Sequence, residues 1–179
     1  MFPSVTTILA PYSGIAEIKK RYPDIIARAA ERGTAVHKYC EDAANFLFPA
    51  ALPENWQGYG ESFLKWLAQV DEVIRTETRF FDYDMKFCGQ FDIICRMKGD
   101  KHLSLWDYKT SEVKDKTWPL QIAAYRHLAR REGLETKRGG MIRLRRSGRP
   151  PLIDEYTATE RRDWNLFVSA LNIHLNFFM

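Results

Sequence analysis

Helical periodicity dominates the first seventy residues of the chain. Apolar residues recur at intervals of three and four over residues 24–47, where Gly33 either joins two helices or kinks one. A shorter helix is predicted over residues 15–21, before a proline, and another from about residue 56 to residue 70. The N-terminal part of the chain is therefore predicted to be helical.

The pattern changes to that of β-strands in the middle of the chain. Residues 73–81 and 87–97 are rich in β-branched and aromatic side chains. Gly99-Asp100 predicts a two-residue hairpin turn into a third strand over residues 103–109. The remaining predicted elements are a helix over residues 117–131, strands over 141–145 and near 153–156, and a final helix capped by Thr159.

This order of elements predicts an α/β (α+β) domain with a small mixed sheet flanked by helices. The chain has 179 residues, of which 45% are hydrophobic and 28% charged. These values suit one domain, with residues 1–70 as a helical part and residues 71–179 as the sheet-containing core. No membrane span and no secretory signal are expected, and three cysteines without a pairing pattern predict a cytoplasmic location.

Positive charge is concentrated in one short segment. The net charge is only +4, yet six basic residues fall within thirteen positions. Such a stripe is either the electrostatic footprint of a phosphate backbone or the protection of a strand edge against aggregation. The basic stripe consists of Lys137, Arg138, Arg143, Arg145, Arg146 and Arg149.

Three charged side chains converge on the predicted hairpin. With Gly99-Asp100 as its turn, counting back along both strands places Asp92 opposite Asp107. Asp107 and Lys109 are two positions apart and share one face of the sheet. Two opposed carboxylates repel each other, and a divalent cation such as Mg²⁺ or Mn²⁺ resolves the conflict. Lys109 would then orient a metal-bound water or stabilise charge on a phosphoryl oxygen.

A less specific interpretation of these residues is a set of surface ion pairs. An isolated Asp-x-Lys in a strand usually forms such a pair, which contributes about 0–1 kcal/mol. Asp92 has both Arg96 and Lys109 as candidate partners. The predicted register of the hairpin favours the metal site.

Five short segments carry a further signal through their order and spacing. They are Pro3-Ser4-Val5-Thr6-Thr7-Ile8-Leu9, Arg32-Gly33-Thr34-Ala35-Val36-His37, Gly89-Gln90-Phe91-Asp92, Asp107-Tyr108-Lys109-Thr110-Ser111, and Gln121 with Tyr125. Together they resemble the PD-(D/E)XK nuclease superfamily. The segment ending in His37 resembles its RecB-type branch, which includes nuclease domains of bacterial recombination helicases, the mitochondrial genome maintenance exonuclease and phage exonucleases. The resemblance implies a restriction-endonuclease-like core, with residues 1–70 as an N-terminal helical cap over the site.

The resemblance also implies a site built around Mg²⁺ or Mn²⁺. His37, Asp92 and Asp107 would bind the metal, together with the backbone carbonyl oxygen of Tyr108. Asp92, Asp107 and Lys109 would be the catalytic residues.

Other residues would contact DNA under the same resemblance. Gln121 and Tyr125, one helical turn apart, would contact DNA or orient Lys109. Thr110 and Ser111 could donate hydrogen bonds to a phosphate. The remaining candidates for DNA contact are Arg32, Arg126, Arg143 and Arg145.

Two glutamates keep two interpretations each. Glu77, in the strand before the hairpin, either completes the metal shell or pairs with Arg75 or Arg79. Glu41, one helical turn after His37, either joins a second metal site or faces solvent, and solvent is favoured.

The resulting hypothesis is a metal-dependent deoxyribonuclease. It would act as an exonuclease on single-stranded DNA or DNA ends in recombination, repair or replication, in a bacterial or phage-infected cell. The expected partners are DNA and a separate helicase, single-strand-binding or recombination protein, because the sequence has no phosphate-binding loop of a motor. No iron–sulfur cluster is expected, since all three cysteines precede Asp107. The alternatives are a catalytically silent DNA-binding module of the same fold and a structure-specific or restriction-type endonuclease.

Overall fold

A five-stranded mixed sheet forms the centre of the protein. The computed structural model describes residues 2–178, with the backbone alone described at residues 15–17. The strands lie across the sheet in chain order, and only the third and fourth are parallel to each other. They are β1 Val70–Asp82, β2 Phe87–Met97, β3 Leu103–Lys109, β4 Thr136–Arg143 and β5 Leu152–Glu155.

Helices cover both faces of the sheet. In the part of the chain that the structure describes, they are α1 Val5–Leu9, α2 Ile15–Arg21, α3 Pro23–Ala44, α4 Gln57–Leu67, α5 Trp118–Arg131 and α6 Glu160–Phe177. One hydrophobic core joins α1, α5 and α6 to the sheet, and a second joins α3 and α4 to it. The predicted mixed α/β fold is confirmed. No helix within residues 2–178 combines the length and the apolar character that crossing a membrane requires.

Two local predictions need correction. Residues 23–44 form one uninterrupted helix through Gly33, because a single glycine costs a helix only about 1 kcal/mol. The connection between β2 and β3 spans residues 98–102 instead of the two residues expected. The register is nevertheless the predicted one, since Ile93 pairs with Trp106 and Ile94 with Leu105.

Helices from the first seventy residues pack on both faces of the sheet. α1 buries Val5, Ile8 and Leu9 in the core that it shares with α5 and α6. The amide of Cys88 also donates to the carbonyl of Pro3 at 3.0 Å, which ties the start of the chain to β2. α3 and α4 pack on the opposite face. An apolar stripe predicts that a helix has a buried face, but not which side of the sheet receives it.

Gly89 allows β2 and α5 to approach each other closely. A Cβ atom at this position would lie 2.8 Å from the Tyr125 ring and 2.9 Å from Leu128 Cδ1. Both side chains belong to the core beneath α5. Because α5 also carries Gln121, this contact sets how near that residue lies to the strands.

We expect Gly89→Ala to lower the free energy of unfolding by about 1–3 kcal/mol, because the Tyr125 ring and Leu128 must shift to admit a methyl group. Urea denaturation followed by circular dichroism measures this change. Gly33→Ala is the matched control, since no atom lies within 4 Å of its added Cβ, and it should raise stability by about 0.5–1 kcal/mol. Equal responses of the two variants would contradict this account of Gly89.

Candidate active site

The β2–β3 ladder stops just before the predicted carboxylates. Its last pair is Ile93 with Trp106, and the same register continued by one residue places Asp92 opposite Asp107. At this point a side chain bridges the strands, because Asp92 Oδ2 accepts a short hydrogen bond from the Tyr108 amide. Asp92 is 6% exposed and Asp107 is 3% exposed. The hairpin therefore buries two carboxyl groups where its strands cease to pair.

His37 reaches these strands from α3. Its Nδ1 lies 3.1 Å from Asp92 Oδ1, and its Nε2 lies 3.1 Å from the carbonyl oxygen of Tyr108. Two acceptors on the two ring nitrogens favour the doubly protonated imidazolium. Burial acts to lower the pKa of His37, but the carboxylates of Asp92, Glu77 and Asp107 outweigh it and raise that pKa to about 10.

Glu77, on β1, directs its carboxylate into the same cluster. Its Oε1 lies 3.7 Å from His37 Nδ1, and its Oε2 accepts a hydrogen bond of 2.8 Å from Gln90 Nε2. The alternative ion pair with Arg75 or Arg79 is not observed between these described residues. Arg79 instead donates to Gln90 Oε1 at 3.2 Å, so that it reaches Glu77 only through the amide.

The backbone and the side chain of Glu77 both carry an unfavourable feature. Its φ of 43° lies in the left-handed region within a strand, a conformation that costs a non-glycine residue about 1–3 kcal/mol. Its Oε1 is buried without a hydrogen-bond partner among the described residues. Backbone strain and unsatisfied buried oxygens are typical of functional sites.

His37, Glu77 and Asp92 together offer a set of metal ligands. One ligand atom from each lies within 4.8 Å of the others. An imidazole nitrogen with carboxylate oxygens fits Mg²⁺ or Mn²⁺, and the Glu77 oxygen that lacks a hydrogen bond within the described residues is available to such an ion. Asp107 does not belong to this group of three.

Asp107 is held by Lys109 and by α5. Its Oδ2 forms a close ion pair with Lys109 Nζ, and its Oδ1 accepts a hydrogen bond of 3.1 Å from Gln121 Nε2. Burial and the nearby Asp92 raise the pKa of Asp107 to about 6, although Lys109 and His37 oppose the shift. Burial also acts to raise the pKa of Asp92, but His37 and Lys109 hold it below its ordinary value.

Lys109 remains a cation in this setting. Burial acts to lower its pKa, but Asp107 and Asp92 raise it above its ordinary value. The site therefore contains three carboxylates, from Glu77 and the two aspartates, but only two cationic side chains among its described residues, His37 and Lys109. A divalent cation adds the positive charge that this balance lacks.

Gln121 contacts Asp107 directly, and Tyr125 contacts Gln121. Gln121 Nε2 donates both to Asp107 and to the Tyr125 hydroxyl, the second at 3.1 Å. They are 6% and 3% exposed, respectively. Their contact with DNA and their effect on Lys109 stay predictions, and both side chains are buried beside the Asp107 carboxylate.

Two candidate DNA contacts next to the site, Arg32 and Ser111, already have partners within the protein. Arg32 donates to the carbonyl of Thr110 at 3.5 Å, and its guanidinium lies 5.5 Å from the centre of the Tyr59 ring. The Ser111 hydroxyl donates to the carbonyl of Val113 at 3.0 Å. Their contact with DNA stays a prediction.

Arg126, another predicted DNA contact, is buried and has partners within the protein. Arg126 is 3% exposed, pairs with Glu160 at 2.8 Å and donates to the carbonyl of Thr136 at 2.7 Å. Arg143 is also occupied, because its Nε pairs with Asp154 at 2.6 Å. These acids come from later parts of the chain, so the local basic pattern does not reveal them.

The basic stripe divides into two parts with different roles. Lys137 pairs with Glu135 at 2.6 Å and Arg138 with Glu155 at 2.8 Å, as expected for a strand edge. The later part behaves differently, because no ion pair is found within residues 2–178 for three of its members, Arg145, Arg146 and Arg149.

A family model matches most of the sequence, including the segments that form this site. The model of the PD-(D/E)XK nuclease superfamily matches residues 14–172, a span that holds every residue of the site described above. A comparison with curated proteins gives no significant match. Since this family model covers far more than half of the chain, the chain belongs to the PD-(D/E)XK nuclease superfamily.

Proposed function

We propose that this protein is a metal-dependent deoxyribonuclease of the RecB-type branch, acting as an exonuclease on single-stranded DNA or DNA ends. Membership of the superfamily supports a metal-dependent nuclease that hydrolyses phosphodiester bonds of DNA. The observation that carries the proposal is the convergence of His37, Glu77 and Asp92 beside the Asp107–Lys109 pair. Recombination, repair or replication is the proposed setting, with a helicase, single-strand-binding or recombination protein as a separate partner.

His37, Glu77 and Asp92 would hold the metal, with Asp107 and the carbonyl oxygen of Tyr108 as further donors. The Oε1 of Glu77, which is buried without a hydrogen-bond partner among the described residues, supports this assignment. A bound Mg²⁺ or Mn²⁺ supplies an activated water and stabilises the charge that develops on the phosphate.

Lys109 would act on the phosphate that lies against this site. It carries its charge in a half-buried setting, where electrostatic stabilisation is stronger than in water. Gln121 holds Asp107 in place through its amide, so the carboxylate cannot rotate away from Lys109 without losing a hydrogen bond. The arrangement supports in-line attack by water, with Lys109 stabilising negative charge at the phosphoryl oxygens.

The exonuclease assignment rests on the N-terminal helices. His37 follows Arg32-Gly33-Thr34 on α3, as in the RecB-type motif. Residues 18–21 of α2 and the first half of α3 are largely solvent-exposed, and the last turn of α2 carries Lys19, Lys20 and Arg21. An exposed pair of helices with this basic turn before the site suits a path for a single strand.

We expect metal-dependent loss of end-labelled linear single-stranded DNA, with covalently closed circles left intact. Lys109→Ala should lower kcat about 10²–10³-fold, because it removes a cation from the transition state. Lys116→Ala is the control, since this exposed lysine lies seven residues further along and should leave the rate unchanged.

Cutting of the circles would replace the exonuclease proposal by an endonuclease. Binding of DNA without cleavage in either Mg²⁺ or Mn²⁺ would leave only a silent DNA-binding module. Circular dichroism of each variant verifies that the fold is retained.

We expect titration calorimetry to detect one tight Mn²⁺ site that His37→Ala and Asp92→Asn abolish and Glu77→Gln weakens at least tenfold. A metal concentration of 100 Kd should stabilise the wild type by about 2.7 kcal/mol in thermal unfolding. Glu41→Gln is the matched control, because Glu41 lies one helical turn after His37 but pairs with Lys38 at 2.9 Å. Equal weakening by Glu41→Gln would contradict the assigned ligand set.

The affinity for metal should rise with pH. A histidine ligand must be neutral, whereas the pKa of His37 is about 10 in the metal-free protein, so binding releases a proton. We expect roughly a tenfold gain in affinity per pH unit between about pH 7 and 8.5. Calorimetry in two buffers with different ionisation enthalpies counts the released proton, and a flat profile would contradict the assignment.

The same shift has an opposite effect on the metal-free fold. The pKa of His37 is raised from 6.5 to about 10, so its protonated ring stabilises the fold fully below pH 6.5. That stabilisation is lost as the pH rises through 10.

A further inference from the structure

A cavity of about 520 Å³ opens where β3 and β4 end. It lies between the residues that follow β3, the end of β4 with its following turn, and the start of β5. Its polar lining consists of Ser111, Glu112, Arg143, Arg145, Arg146 and Ser147. Five of these six residues carry a hydrogen-bond donor in the side chain, and three of the five are arginines.

The cavity lies next to the candidate active site. β3 and β4 are parallel, and Lys109 lies opposite Arg143 in the register of these two strands. The amide of Leu144 donates to the carbonyl of Lys109 at 2.8 Å. Ser111 follows Lys109 by two residues, which is about 7 Å along an extended chain. Crevices outside the carboxyl ends of parallel strands are common ligand sites. A ligand in this cavity would therefore lie beside the scissile phosphate.

The cavity carries an excess of positive charge. Arg143 is occupied by Asp154 and by the carbonyl of Glu112, at 2.6 and 2.8 Å. Arg145 and Arg146 are cations for which the described part of the chain supplies no ion pair, and Glu112 is the one acid in the lining. Guanidinium groups beside a hydroxyl match the oxygens of a phosphate.

The loop that carries the two arginines is fixed against α4. A Cβ atom on Gly58 would lie 1.9 Å from the carbonyl oxygen of Arg146, so helix and loop meet backbone to backbone. The amide of Arg145 donates to Ser62 Oγ at 3.1 Å, and Lys65 Nζ donates to a carbonyl of the same loop at 2.6 Å. The arginines are therefore presented by a segment that is already ordered, which reduces the entropic cost of binding.

We propose that this cavity is a binding subsite for a second backbone phosphate of the DNA strand, next to the scissile one, with Arg145 and Arg146 as its cations. The identity of the strand rests on the proposed function, whereas the phosphate chemistry follows from the lining of the cavity. Contacts of this kind fix the register of a strand without reading its sequence. The subsite would place the adjacent phosphodiester against the candidate metal ligands.

The test is fluorescence anisotropy with a labelled oligothymidylate in EDTA, where no cleavage takes place. Arg145→Ala and Arg146→Ala should each weaken binding about tenfold. The double variant should reduce the slope of log affinity against log salt concentration by about 0.7, the value for one phosphate contact on a single strand. Arg149→Ala removes the same charge from the same loop outside the cavity, so its loss should be less than threefold. Both arginines lie on a surface loop, and unchanged melting temperatures verify the fold.

Equal losses in all three single variants would overturn the subsite in favour of diffuse electrostatic attraction. Unchanged affinity in Arg145→Ala and Arg146→Ala, or no binding by the wild type, would overturn it as well. Binding that depends on these arginines without cleavage in Mg²⁺ or Mn²⁺ would refute the nuclease proposal alone. Cleavage with full oligonucleotide affinity in both variants would refute the subsite alone.

Discussion

The gathering of carboxylates at the end of the β2–β3 ladder is the constraint on which the rest of the site depends. Glu77, Asp92 and Asp107 repel one another, and burial increases that repulsion because the local dielectric constant is low. The fold offsets it with two cations, His37 from α3 and Lys109 from β3. In the metal-free protein, the proton on His37 supplies charge that a divalent ion would supply in the loaded protein. Metal binding and protonation are therefore competing ways to stabilise one cluster.

The β2–β3 hairpin could be predicted from the sequence because its strands and its turn depend on residues that are close together in the chain. Alternating apolar residues and the Gly99-Asp100 turn predict both strands, and the observed bounds of β2 and β3 agree with the prediction. The register survives a longer connection because burial of Ile94 and Leu105 in one core fixes which residues face each other. The juxtaposition of Asp92 with Asp107 follows from that register alone.

The rest of the site depends on contacts between distant segments. Arg126 resembles a DNA-binding residue until its partner Glu160, thirty-four residues further along, is seen beside it. Glu77 reaches the cluster through a left-handed backbone conformation that has no signature in the local sequence. Gln90, which holds Glu77, has no predicted role, although its position two residues before Asp92 places it near the site. Ion pairs and strained dihedral angles are tertiary properties, which hydrophobic periodicity does not encode.

The site draws on both layers of the fold at once. His37 comes from α3, which packs in one hydrophobic core, and Gln121 comes from α5, which packs in the other. The two side chains meet neighbouring strands of the same sheet, at Asp92 and Asp107. Loosening of either core therefore misaligns one of the two aspartates, even where the sheet between them stays intact. The cluster is complete only when the helices of both cores are packed on the sheet, so the chemistry of the protein reports whether both faces of the sheet have assembled.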